Sequence, residues 1–113
     1  MTTTIPHTTP PRYPEGIAPT RFASHIQQAM HVGCRVGLLG LADDLGVRLN
    51  NGRPGAGEGP AAFRAALAKY GAATGDSLDS VRVFDAGDIV AADGSAEAAL
   101  HETHRRVSAA TEA

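Results

Sequence analysis

Apolar positions along the chain fall into groups separated by stretches rich in proline and glycine. Phe22, Ile26 and Met30 recur every four residues, which predicts a short helix over residues 21–31 with Thr20 as its N-cap. Residues 34–40, Cys-Arg-Val-Gly-Leu-Leu-Gly, form a short apolar run closed by a glycine, the pattern of a buried strand in a parallel sheet. Behind Gly59-Pro60, the residues Phe63, Ala66, Leu67 and Tyr70 stand at i, i+3, i+4 and i+7. They predict a helix with proline in its first turn, where no hydrogen bond is lost, and with Gly71 as its stop. Val81-Arg-Val-Phe84 reads as a second strand running into Asp85-Ala-Gly-Asp88. Ser95 then offers an N-cap for a last helix, with Glu97 in its first turn and Ala96, Leu100, Thr103, Val107 and Ala110 along one face.

The segments between these elements are as informative. Five prolines fall within residues 1–20, so that stretch is expected to be an extended or disordered arm. Residues 41–59 make a long polar connection where a β→α turn normally takes two to six residues. Such a loop at the C-terminal end of a strand is where α/β proteins place their chemistry. Residues 72–80 read as a flexible connection. The order arm, helix, strand, helix, strand, helix requires crossovers and therefore parallel strands. Two strands cannot hide both faces of a sheet, and the last helix meets no stop signal before Ala113. The pattern predicts residues 21–113 to be the opening part of a larger α/β domain, preceded by the arm at 1–20.

Composition sharpens this picture. The 113 residues hold 21 alanines against only 24 Ile, Leu, Val, Phe and Met, a thin supply for an independent core. The chain alone is therefore expected to be molten, self-associated or prone to aggregate. A formal charge of −2 gives no basic surplus for a nucleic-acid backbone. No apolar run approaches the roughly 20 residues of a membrane span, and the N-terminus lacks the apolar core of a secretory signal. A single cysteine, Cys34, excludes an intrachain disulfide and suits a reducing cytoplasm.

Several residue groups carry candidate chemistry. The glycines at 52, 55, 57 and 59 have neither the spacing of a dinucleotide loop nor the Gly-Lys-Ser/Thr of a phosphate loop. They allow tight turns or a close approach to a ligand. His101 and His104 lie three apart rather than four and have no third ligand, so a solvated helix face is the expected reading. Asp43-Asp44 and Asp85/Asp88 follow strand ends; such carboxylates can hold a hard cation or act as acid and base, and more commonly cap turns. Nothing places a base beside Cys34, so it is not read as a nucleophile. Arg48 and Arg53 sit in the glycine-lined loop with Asn50 and Asn51. A guanidinium there can fork onto a substrate carboxylate or brace the loop against Asp43 or Asp44.

The ordered string from Leu38 to Arg64 resembles the opening of the ureohydrolase family, which includes arginase, agmatinase and formimidoylglutamase. The shared elements are the strand ending near Gly40, Gly-Ala-x-x-Gly-Pro-x-x-x-Arg at Gly55, Ala56, Gly59, Pro60 and Arg64, and Asp-x-Gly-Asp at Asp85–Asp88. The form Gly-Val-Arg-x-Asn-x-Gly-Arg from Gly46 to Arg53 is most similar to the formimidoylglutamase branch. The resemblance implies a three-layer α/β/α fold with a parallel sheet and two Mn²⁺ ions. The implied reaction is hydrolysis of N-formimidoyl-L-glutamate to L-glutamate and formamide, an intermediate step of histidine degradation in the cytoplasm. A guanidino substrate, releasing urea, and a non-catalytic module for binding or assembly are the alternatives. The family's metal-ligand segments, Gly-Gly-x-His, Asp-x-His-x-Asp and Asp-x-Asp, do not occur in these 113 residues, so no metal ligand and no catalytic residue is assigned here. The resemblance leaves Arg48, Asn50 and Arg53 as the substrate-side candidates. The expected partners are a small amidine substrate and either further copies of the chain or a complementing C-terminal chain.

Overall fold

A computed structural model of the chain describes residues 5–29, 32–71 and 82–113. Its strands are β1 (Thr8–Thr9), β2 (Val36–Leu41) and β3 (Val83–Ile89), and its α-helices are α1 (Leu45–Leu49), α2 (Gly59–Leu67) and α3 (Ala96–Glu112). Short 3₁₀ turns lie at Phe22–His25 and Ala56–Glu58. The strands form one sheet in the order β1-β3-β2. β2 and β3 are parallel, as the crossover length requires, with Val36 opposite Val83 and Leu41 opposite Ile89. β1 joins the other side of β3 in the antiparallel sense, with Thr8 opposite Ile89 and Thr9 opposite Asp88. The architecture is thus α/β with a small mixed sheet, where the sequence pattern predicts a purely parallel one.

That difference comes from the arm. Within residues 5–20 the chain turns at Pro6-His7, Glu15-Gly16 and Pro19-Thr20, and its one extended pair, Thr8–Thr9, fits the outer edge of β3. Val90 donates its N–H to the His7 carbonyl at 2.8 Å, and the Thr9 hydroxyl reaches the Asp88 carbonyl. Gly87 makes this approach possible. It has φ of +89°, and a Cβ there would lie 1.7 Å from the Thr9 carbonyl oxygen.

The helix predicted over 21–31 is only the 3₁₀ turn Phe22–His25. Beyond it Ile26 is extended, and Gln27 exchanges hydrogen bonds with Val83 and Asp85 on β3. The unpaired edge of β3 outcompetes a short helix with weak propensity, because each edge contact satisfies a backbone group that would otherwise need water. Arg21 ties this segment to the end of α2: its N–H groups and those of Phe22 meet the Lys69 and Tyr70 carbonyls. Met30, the start of the second strand at Val81 and the connection 72–80 lie outside the described residues.

Other elements follow the pattern closely. α2 opens at Gly59 with Pro60 in its first turn, and α3 starts after Ser95. Ser95 takes the extended N-cap backbone, although its hydroxyl makes no capping bond. β3 runs on through Asp85–Asp88 rather than ending before it. On one face, Ala23, Ile26 and Val83 form a buried cluster, joined by Tyr13, Phe22, Leu38 and Leu67. On the other, buried Ala99 and Ala110 of α3 lie with Phe84 and Ile89 among the covered apolar residues. Val36, Leu41, Leu49, Phe63 and Tyr70 remain exposed, in keeping with a core short of large side chains. Among the described residues, no helix is long and apolar enough to cross a membrane.

Gly87→Ala should expel the arm. The added Cβ meets the Thr9 carbonyl and the positive φ is strained, so a loss of at least ~1–3 kcal/mol is expected in a urea melt. Tryptic cleavage after Arg12 should accelerate in parallel; unchanged cleavage would show that the arm does not depend on this contact.

Candidate functional site

Arg64 is placed by two constraints of the sequence. It lies on α2 four residues after Pro60, on the side that faces the sheet, and the helix brings it over β3, where Asp85 occurs. Its side chain is only 5% exposed and that of Asp85 is fully covered. The guanidinium forks onto Asp85, with Nε 2.8 Å from Oδ2 and Nη2 2.9 Å from Oδ1. Its third nitrogen, Nη1, reaches Asp88 Oδ1 at 2.7 Å. Asp85 also accepts the Tyr13 hydroxyl at 2.5 Å and the Gly87 N–H at 2.9 Å. Asp88 fits beside β2 because Gly40 has no side chain: a Cβ there would stand 1.9 Å from Asp88 Oδ1. The β2–β3 register shifts at this point, between Leu38 and Gly40.

The electrostatics follow from that geometry. Burial disfavours the Asp85 carboxylate, but the Arg64 fork, the Tyr13 hydroxyl and the Gly87 N–H outweigh it and hold its pKa below the usual carboxylate range. The Asp85 bonds, against the cost of burial, push Arg64 further up, so it stays charged. Tyr13 is pushed above the usual phenol value by burial first and then by its bond to Asp85. Both Asp85 oxygens and all three Arg64 nitrogens are occupied by neighbours, so the corner works as a fixed electrostatic clamp.

The loop that the clamp positions has its own hub at Asp44. Arg48 Nε and Nη2 bond Asp44 Oδ1, and the Gly55 N–H reaches Oδ2 at 3.1 Å. These bonds, the Arg48 one foremost, lower the Asp44 pKa. Between them runs α1, a single helical turn within the stretch that the sequence pattern predicts as a polar connection. It ends with Asn51 at φ +57°, the Asn51 N–H on the Arg48 carbonyl and the Gly52 N–H on the Val47 carbonyl at 2.8 Å, a Schellman stop. The signals were present: Asp44 ahead of the turn and Asn51-Gly52 after it.

The substrate-side candidates are accordingly distributed. Arg48 spends its fork on Asp44, the bracing role that the sequence offered to Arg53. Asn50 forms the C-cap of α1, its N–H on the Gly46 and Val47 carbonyls. Arg53 lies exposed beyond the Schellman stop and makes no ion pair among the described residues, so its guanidinium faces solvent. Sequence reasoning missed Tyr13, whose position in a proline-rich arm gave no periodic signal, and treated Arg64 only as part of a motif.

A pair of Mn²⁺ ions needs several carboxylate or imidazole donors aimed at one point. Among the described residues no three His, Cys, Asp or Glu side chains converge in that way. Asp85 and Asp88 are committed to Arg64. On α3, His101 and His104 are exposed, and Glu102 between them is held down to about 2 by Arg105 and then Arg106. The residues present do not fit the metal pair.

Arg64→Met should cost about 3–5 kcal/mol, because it strands a buried carboxylate, whereas removing the exposed Arg48–Asp44 pair should cost far less, since solvent screens it. Chemical denaturation of both variants checks the contrast. The pH dependence has two limbs. Asp85 is lowered, so its contribution is full above about pH 4 and is lost as pH falls through the lowered value. Tyr13 is raised, so its contribution is full below about pH 10 and is lost as pH rises through the raised value. Tyr13→Phe should remove the alkaline loss and move the acid midpoint upward; an unchanged acid midpoint would disconnect Tyr13 from Asp85.

The family model described as "Arginase family" matches residues 34–113, from the approach to β2 through α3. A formimidoylglutamase of Chromobacterium violaceum is 36% identical over 94 residues, 82% of this chain and 29% of that protein. Formimidoylglutamases of Geobacillus thermodenitrificans and Klebsiella pneumoniae are 43% and 44% identical over 69 and 75 residues, 61% and 66% of this chain. The match covers 20% and 22% of those two proteins, so the chain spans less than a third of the length of these curated relatives. No solved structure matches the chain.

Proposed function

The chain belongs to the arginase family, and on that footing we propose that it forms the N-terminal portion of a manganese-dependent hydrolase of linear amidines. The proposed substrate is N-formimidoyl-L-glutamate. Water adds to the amidine carbon and the bond to the glutamyl nitrogen breaks, giving formamide and L-glutamate. The observation that supports the reading is the identity of 36–44% to formimidoylglutamases, beside the family match over residues 34–113. The proposed domain is a three-layer α/β/α unit in the cytoplasm, of which this chain supplies the first strands and the substrate-side loop. The metal ions belong to ligand segments that these 113 residues do not carry, and none of the residues described above is assigned to them.

Within that reading the parts of this chain have distinct tasks. The Arg64 clamp fixes the start of α2 against the ends of β2 and β3, so both ends of the loop 42–58 are held. The Asp44 hub, with Arg48 and Gly55, sets the loop's internal shape. Arg53 presents an uncommitted guanidinium for a substrate carboxylate, and Asn50 stands one turn away along the chain. Arg48 contributes by holding the loop.

The test joins this chain to the remainder of the Chromobacterium violaceum relative and follows products by NMR with manganese present. Formamide from N-formimidoyl-L-glutamate is expected, with Arg53→Ala raising KM about 10- to 150-fold, the equivalent of 1.5–3 kcal/mol for a charged hydrogen bond, at little cost to kcat. Urea from agmatine or arginine instead would overturn the substrate. No turnover of either would favour a module for binding or assembly.

A further inference from the structure

The arm and the loop 42–58 are fastened to the same few residues of β3. The Tyr13 hydroxyl donates to Asp85, the Thr9 hydroxyl to the Asp88 carbonyl, and the His7 carbonyl accepts the Val90 N–H. In the ladder, Thr8 and Thr9 stand opposite Ile89 and Asp88. The loop reaches this stretch through Arg64, which forks onto Asp85 and bonds Asp88. Both ends of the loop meet there. A Cβ on Gly40, one residue before the end of β2, would lie 1.9 Å from Asp88 Oδ1 and 3.0 Å from Cβ of Pro60, in the first turn of α2. Tyr13 stands between arm and loop. Its hydroxyl shares Asp85 Oδ2 with Arg64 Nε, and its ring packs on the cluster of Ala23, Ile26 and Val83. Asp85 is fully covered, so a bond lost there leaves an oxygen that water does not freely serve.

We propose that Tyr13 is a positioning residue for the loop 42–58: by bonding Asp85 it couples docking of the arm to the setting of α2, and so to the place where Arg53 is presented. With the hydroxyl in place, Asp85 is held from the arm's side and offers Arg64 a fixed fork. Without it, the carboxylate and the guanidinium adjust to each other, and the first turn of α2 is free to shift against Gly40. The helix start is the far end of the loop, so the shift passes to Gly55 and the Asp44 hub. The use of Arg53 on a substrate carboxylate rests on the amidine-hydrolase reading. The coupling of arm and loop does not.

The test uses this chain joined to the remainder of the Chromobacterium violaceum relative, with Tyr13→Phe, which keeps the ring and removes only the hydroxyl. Hydrogen exchange reads the loop through its bonded amides, Asn51 to Arg48, Gly52 to Val47 and Gly55 to Asp44. These should exchange about three- to tenfold faster, the range set by one lost hydrogen bond, while the β2–β3 ladder stays protected. Removal of residues 1–13 should have the same effect to a larger degree. KM for N-formimidoyl-L-glutamate should rise by about the same factor as the exchange, at unchanged kcat. In an Arg53→Ala background Tyr13→Phe should raise KM no further, because no guanidinium is left there to misplace. Ala99→Gly, on α3, which bears no residue of the clamp, is the stability control. It should lower the melting temperature and leave loop exchange and KM unchanged. Unaltered loop exchange in Tyr13→Phe and in the chain lacking residues 1–13 would overturn the proposal. So would a KM effect that adds to that of Arg53→Ala, or loop loosening that Ala99→Gly reproduces. Loop exchange that responds as expected in a protein releasing no formamide would support the coupling and strike the hydrolytic reading alone.

Discussion

A guanidinium buried between two carboxylates is the constraint on which the rest of this structure depends. Arg64 could not be covered without partners, and Asp85 could not be covered without a cation. Each makes the other's burial possible, and together they join α2 to β3. The consequences spread outward from that joint. Asp88 needs room beside β2, which only a glycine at position 40 leaves. The remaining oxygen capacity of Asp85 draws in Tyr13 and with it the arm. Gly87 lets the arm approach closely enough for the hydroxyl to arrive.

The same joint explains how a chain with so little large apolar surface holds a defined corner. Among the described residues, four buried apolar side chains are larger than alanine, namely Ile26, Val83, Phe84 and Ile89. Packing of that extent is modest, so orientation at the ends of β2 and β3 comes from directional bonds. A forked arginine fixes distance and angle at once. The loop is held in the same way, because both ends of residues 42–58 are anchored to rigid elements. The Asp44 hub then divides labour inside the loop, with Arg48 as brace and Arg53 as the outward-facing cation.

Much of this organisation can be read from the residues. α2 announces itself through proline at its start and an apolar face at helical spacing, and α3 through Ser95 and a steady four-three alternation. The parallel pairing of β2 and β3 follows from the length of chain between them. The ordered string from Leu38 to Arg64, with Asp85–Asp88 behind it, identifies the family, and the matched residues 34–113 cover that string. The short helix α1 was legible in principle, since Asp44 and Asn51-Gly52 bracket it, yet a single turn gives too few residues for a periodic signal.

What the sequence determined by itself is therefore local or cumulative: helix starts and stops, strand composition, and a family motif spread over many positions. What only the tertiary structure decided depends on residues far apart in the chain. The pairing of Tyr13 with Asp85 spans 72 positions and that of Arg64 with Asp85 spans 21, and no local pattern encodes either. Residues 26–27 left the expected helix because the edge of β3 had backbone groups to satisfy, a demand that exists only once the sheet has formed. The choice between Arg48 and Arg53 as brace was decided by the helical turn between them. That turn places Asp44 and Arg48 on one face and carries Arg53 past the stop into solvent.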